Sequence, residues 1–185
     1  MKTIDYYMSP ASPWTYLGHQ RFSEMAKRHG ASVSVKPVDF GVIFPQSGGL
    51  PLPKRAPQRQ AYRLVELERW KDHLGVPLAV QPKNFPVDAG PAAALICAAA
   101  EDRRMALAGD LLAALWKEDR PIADPAVLKE IGSRHGVTKG DEARYHAFTQ
   151  EALERGVFGA PSYVYRDEIF WGQDRLDFLD RALAK

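Results

Sequence analysis

The sequence predicts an α/β domain interrupted by an all-helical insertion, and three observations carry that prediction. Residues 3 to 38 read as strand, helix, strand; residues 156 to 185 read as strand, turn, strand, helix; and the stretch between holds helical periodicity without a strand pattern. Residues 1–40 and 156–185 are therefore expected to form one α/β unit, with residues 41–155 a loop plus helical insertion.

Thr3 to Met8 is rich in aromatic and β-branched residues, which fit a pleated, largely buried strand. Ser12 is a good N-cap and Pro13 a good first helical residue, since that turn has N–H groups to satisfy and none to lose. Trp14, Leu17, Phe22 and Met25 then recur at helical spacing as far as Gly30. Ser32 to Val38 alternates valine with hydroxyl or charged residues and ends near Pro37, a second strand and hence a right-handed βαβ unit.

From Phe40 to Pro57 the density of proline and glycine predicts a structured loop. Helical stripes follow over 59–74, 92–100, 105–116, 126–135 and 142–155, separated by a proline-rich loop at 80–91 and by breaks such as Gly136 and Lys139-Gly140-Asp141. Ser162 to Tyr165 and Glu168 to Trp171 are strands by composition. Arg166-Asp167 is a two-residue hairpin turn that lacks glycine. Gly172-Gln173-Asp174 opens a closing helix carrying Leu176, Phe178, Leu179 and Leu183.

Composition excludes several classes of function. The chain has 185 residues, 25 of them basic and 23 acidic, so a net charge of +2 calls for neither nucleic acid nor an anionic membrane as partner. The most apolar stretch, 92–100, is too short to span a bilayer, and no basic region followed by an apolar one marks export. Cys97 is the single cysteine, which excludes an internal disulfide, fits the cytoplasm and reads as a buried inert thiol. His19, His29, His73, His135 and His146 do not pair at ligand spacing, so no metal is expected.

Strand, short loop, then a helix opening on Ser12-Pro13-Trp14-Thr15 is the layout of a thioredoxin-like active site, where that slot normally reads C-x-x-C. Both cysteine positions hold hydroxyls here, which rules out thiol–disulfide exchange at this site. Ser12 is then either a helix cap alone or a hydroxyl placed at the positive end of a helix dipole. Pro161 opens a core strand without a donor, and in a thioredoxin-like fold this position is a cis proline that leaves Ala160 on an open edge. A trans proline starting an edge strand is the other reading. Asp174, at the start of the last helix, either complements the dipole or offers a carboxylate to an ammonium.

Ser12 to Leu17, Arg59 to Pro77, Gly156 to Pro161 and Phe170 to Leu176 together resemble 2-hydroxychromene-2-carboxylate isomerase and the related kappa-class glutathione transferases. The resemblance implies a thioredoxin fold with a helical insertion, a homodimer, glutathione as cofactor and an aromatic small-molecule substrate. It places the catalytic serine on Ser12, the cis proline on Pro161 and the cysteinyl backbone contact on Ala160. It places the γ-glutamyl contacts on Gln173 and Asp174, and a basic residue near the glycyl carboxylate on Arg59. Where kappa transferases carry asparagine, this chain has Leu50.

The implied activity is a glutathione-dependent cis–trans isomerisation; the alternatives are a kappa-like transferase and a non-catalytic thioredoxin-fold binding module. The chemistry is feasible without a general base. Lowering a thiol pKa from about 8.5 by two units takes about 2.7 kcal/mol, and a hydroxyl bonded to a charged sulfur supplies about 1.5–3 kcal/mol, with up to about 2 kcal/mol more from the helix terminus. Residues 40–44 and Trp116 either wall the substrate pocket or pack the core.

Overall fold

A computed structural model describes residues 2–185. Strands β1 (Thr3–Met8), β2 (Ser32–Pro37), β3 (Ser162–Tyr165) and β4 (Glu168–Trp171) form one sheet in the order β2-β1-β3-β4. β1 runs parallel to β2 and antiparallel to β3, and β3 and β4 are an antiparallel hairpin. The hairpin turn places both Arg166 and Asp167 at positive φ, 52° and 63°. That is the twist a two-residue hairpin demands, achieved without glycine.

Helix α1 (Pro13–Arg28) connects β1 to β2, and α2 (Phe40–Ser47), α3 (Pro57–Leu74), α4 (Gly90–Ala98), α5 (Glu101–Trp116), α6 (Pro125–Arg134) and α7 (Glu142–Glu154) precede β3. A short 3₁₀ turn, Gln173–Arg175, leads from β4 into α8 (Leu176–Leu183). The α/β class and the helical interruption are as the sequence predicts.

Alternation along β1 assigns the two faces of the sheet. Ile4, Tyr6 and Met8 enter the main core with Val35, Tyr163 and Phe170, where α1, α5 and α8 also bury their apolar stripes. Tyr7 faces the other way, into a smaller cluster with Val38, Ile43, Ala152, Val157 and Val164. α7 covers this second face, and the Tyr7 hydroxyl donates to Glu151 Oε1 at 2.7 Å. Lys36 bridges Glu151 at 2.6 Å and Asp5 at 2.7 Å beside it. α4 is apolar all round and correspondingly buried from Ala92 to Cys97.

One element departs from the sequence reading: residues 40–47 are helical, not loop. Asp39 caps the helix by accepting the Gly41 N–H at 2.7 Å, Gly48 ends it at φ 74°, and fully buried Ile43 anchors it on the second face. Proline and glycine weaken local helix preference, and the tertiary anchor outweighs them.

Candidate active site

β1 and β3 pair only as far as Tyr7 and Ser162. Met8 and Pro161 leave the ladder next, at the same end of the sheet, so the loop that leads to Ser12 and the residue pair Ala160-Pro161 emerge side by side. The Ala160–Pro161 peptide is cis. β4 ends there too, because Trp171 pairs with Ser162, and the Gly172 N–H donates to the Pro161 carbonyl at 2.8 Å. Ser12, Ala160, Pro161, Gln173 and Asp174 thus converge at one end of the sheet, from segments about 150 residues apart in sequence.

Ser12 is half-buried and caps α1. Its oxygen accepts the Thr15 backbone N–H at 3.1 Å, and α1 has no acidic residue in its first turn to offset the positive end of its dipole. Thr15, in the second hydroxyl position of the slot, is fully buried, and its Oγ1 has no hydrogen-bond partner. Ala160 is half-buried, outside the β1–β3 pairing.

Gln173 and Asp174 sit differently although adjacent. Gln173 is 2% exposed, and its Oε1 accepts from Arg21 at 2.8 Å, which ties the 3₁₀ turn to α1. Asp174 is exposed and pairs with Arg175 at 2.5 Å. Arg59 is exposed in the first turn of α3. Among the described residues, no hydrogen bond or ion pair connects Arg59 to the Ser12 group. Leu50 is half exposed, and its carbonyl accepts from Arg55 Nε at 2.8 Å.

One feature near this end of the sheet escapes sequence reasoning. Trp171 packs on Gly159, where an added Cβ would lie 2.3 Å from its indole nitrogen, and its ring meets Phe158 edge-on at 4.8 Å. Phe158 is 40% and Trp171 51% exposed, a ledge beside Ala160 whose only sequence signal was the Phe158-Gly159 pair ahead of the proline. Arg55 and Arg63, which the sequence reading left unassigned, flank Arg59 at intervals of four. Trp116, a candidate pocket wall, is 0% exposed in the main core, and Phe40 and Phe44 contact each other at 5.3 Å, both half-buried.

The remaining titratable groups have structural settings. His19 is sandwiched between the Tyr6 hydroxyl, which donates to Nδ1 at 3.2 Å, and the Met105 carbonyl, which accepts from Nε2 at 3.0 Å. Burial holds its pKa down to about 4, hence neutral. Burial pushes the Cys97 thiol up to about 12, the opposite of an activated nucleophile. No helix is long and apolar enough to cross a membrane among the described residues.

Fold and site together define a thioredoxin-fold protein in which hydroxyls stand where redox cysteines would be. Residues 3–184 match the DSBA-like thioredoxin domain, and the chain belongs to that family. It is 29% identical to a 2-hydroxychromene-2-carboxylate isomerase of Sphingobium xenophagum, over 98% of both chains. A solved 2-hydroxychromene-2-carboxylate isomerase matches with TM-score 0.79 and 27% identity, over 98% of this chain and 94% of that one. The fold alone is shared with the cytosolic disulfide reductase DsbM from Pseudomonas aeruginosa, solved with GSH, at TM-score 0.66 and 19% identity over 99% of this chain and all of that one. The resemblance read from the sequence is borne out.

Proposed function

We propose that the protein is a glutathione-dependent cis–trans isomerase of an aromatic substrate of the 2-hydroxychromene-2-carboxylate type. The observation that carries this reading is the state of the Ser12 hydroxyl. Its oxygen is engaged as the acceptor of Thr15 N–H, so its own hydrogen remains to be donated, at the positive end of a helix whose first turn carries no acidic residue. An anionic sulfur is the partner that such a donor stabilises best. Support also comes from full-length relatives bearing the isomerase name and from a GSH-bound protein of the same fold.

The residues fit glutathione in outline. Ala160 offers backbone groups outside the ladder to the cysteinyl unit, and Pro161 holds that edge in place. Asp174 offers a carboxylate to the γ-glutamyl ammonium. Gln173, buried against α1, fixes the turn that presents Asp174, and Arg59 faces the glycyl carboxylate. When bound, glutathione supplies a sulfur nucleophile for reversible addition to a conjugated double bond. Ser12 lowers the proton affinity of that sulfur by donating to its charged form, and no residue need act as general base. In this reading residues 1–40 and 156–185 hold the thiol, and residues 41–155 wall the aromatic substrate.

Turnover of the aromatic substrate with one equivalent of glutathione tests the proposal. Isomerisation that stops when glutathione is withheld, with all glutathione recovered free afterwards, is the expected result. Glutathione lost as a conjugate identifies a transferase instead, and no heat of glutathione binding at millimolar concentration leaves only a binding module. The reading extends to a homodimer in the cytoplasm, and sedimentation velocity showing a monomer removes the first of these.

A further inference from the structure

α3 displays a guanidinium that no carboxylate neutralises. Arg63 is half-buried, lies 5.2 Å from the ring centre of Phe85 and 6.0 Å from that of Trp116, and forms no ion pair or hydrogen bond among the described residues. Glu66, three residues on along α3, is already engaged by Arg69 at 2.8 Å. Arg55 and Arg59 precede Arg63 by eight and four residues, so like charge accumulates where opposite charge would normally be placed. Burial and the Arg55 charge bring the Arg63 pKa down to about 10, and burial and the Arg59 charge lower that of Arg55. The guanidinium stays protonated at neutral pH, in surroundings that disfavour its charge.

A second feature coincides with the first. Trp116, one of the two rings beside Arg63, is fully buried, and its indole N–H has no acceptor. Buried donors ordinarily find one. A cation without a counter-ion and a donor without an acceptor meet on the same aromatic wall. The Tyr16 hydroxyl, one turn after Ser12 on α1, donates to the Pro77 carbonyl at 2.6 Å, and the Ala79 N–H donates to the Trp116 carbonyl at 2.6 Å, so the segment 77–79 ties the Trp116 end of α5 to the helix that Ser12 caps.

We infer that Arg63, assisted by Arg55 and set against Phe85 and Trp116, is the binding site for the carboxylate of a planar aromatic acid. The planar fork of the guanidinium suits a carboxylate, and the flat rings beside it suit an aromatic framework. Arg59, by contrast, is the group proposed above for the glycyl carboxylate. The inference names the substrate-carboxylate part of the site proposed above and so rests on that reading.

Calorimetric titration with trans-cinnamate and with its neutral isostere cinnamamide tests it. The protein should prefer the acid by roughly ten- to a hundredfold, the range of a charge-assisted contact. Arg63→Gln should abolish that preference, Arg63→Lys should keep part of it because the charge survives without the fork, and Arg103→Gln, at an exposed position outside both sites, should leave it intact. On the unmodified protein, the Trp116 indole N–H resonance should shift with cinnamate and not with cinnamamide. Equal affinity for acid and amide overturns the inference, as does a preference that survives in Arg63→Gln. Glutathione titrated into the same samples separates the two readings: cinnamate discrimination without glutathione binding refutes the proposed function, and the converse refutes the carboxylate site.

Discussion

Gly18 of α1 lies directly beneath Gln173 of the 3₁₀ turn, so close that a Cβ added at Gly18 would stand 2.7 Å from the Gln173 Cβ and 3.0 Å from the Tyr163 hydroxyl. This contact, with the Arg21–Gln173 hydrogen bond, clamps the C-terminal half of the chain onto the helix that Ser12 caps. Neither neighbour is the loose end of a flexible chain: one is the root of a buried side chain and the other the tip of a buried ring. Gly18→Ala should therefore destabilise the fold by about 1–3 kcal/mol and weaken glutathione binding at the same time. Chemical denaturation and calorimetry check the two effects.

Ser12→Ala removes both a helix cap and the proposed thiol donor, and the two losses differ in size. The cap is worth about 1 kcal/mol of stability. A hydrogen bond to a charged sulfur is worth about 1.5–3 kcal/mol, so isomerisation should fall roughly ten- to a hundredfold. The ultraviolet absorbance of the bound thiolate should titrate at higher pH in the variant. If Ser12→Ala costs only stability and leaves turnover unchanged, the hydroxyl is a cap and nothing more.

His19 gives the protein a defined acid sensitivity. An unfolded histidine titrates near pH 6.5, whereas His19 in the native state titrates near 4. Between those values the unfolded chain binds a proton that the native chain refuses, so stability should fall as the pH drops from about 6.5 towards 4 and be unaffected by this group above that window. The whole loss amounts to about 3 kcal/mol. Urea midpoints at several pH values should show a shallower slope for His19→Gln than for the unmodified protein.

Asp174→Asn tests the γ-glutamyl contact. Because Asp174 is exposed and already paired with Arg175, the loss should be small, roughly two- to fivefold in glutathione affinity, and should shrink with added salt. Glutathione lacking its α-amino group should bind the variant and the unmodified protein alike. A loss of the same size for the deaminated ligand counts against an ammonium contact.

Cys97 should be silent. With its thiol buried against Tyr145 and its pKa near 12, the native protein at pH 8 should not react with dithionitrobenzoate, and one thiol should react once guanidinium is added. Rapid labelling of the folded protein would contradict the buried position of Cys97.

The strands, α1 and the helical character of the insertion were legible in the sequence because each rests on local information: β-branched alternation, a serine–proline helix start, apolar residues at helical spacing. The replacement of both redox cysteines by Ser12 and Thr15 was legible for the same reason, and so was the chemistry it excludes. α2 was not, because its existence depends on the burial of Ile43 against α7, a contact more than a hundred residues away in sequence.

The site divides along the same line. Sequence named Ser12, Ala160, Pro161, Gln173, Asp174 and Arg59 as candidates, but it could not say that Gln173 turns inward to Arg21 while Asp174 faces solvent. Nor could it show that Arg63 lies against Trp116 with no counter-ion. Residue types and periodicities are fixed locally, one chain position at a time. Which charges are left without partners is settled only when distant segments pack, since a counter-ion is a matter of distance in space and not of spacing in sequence.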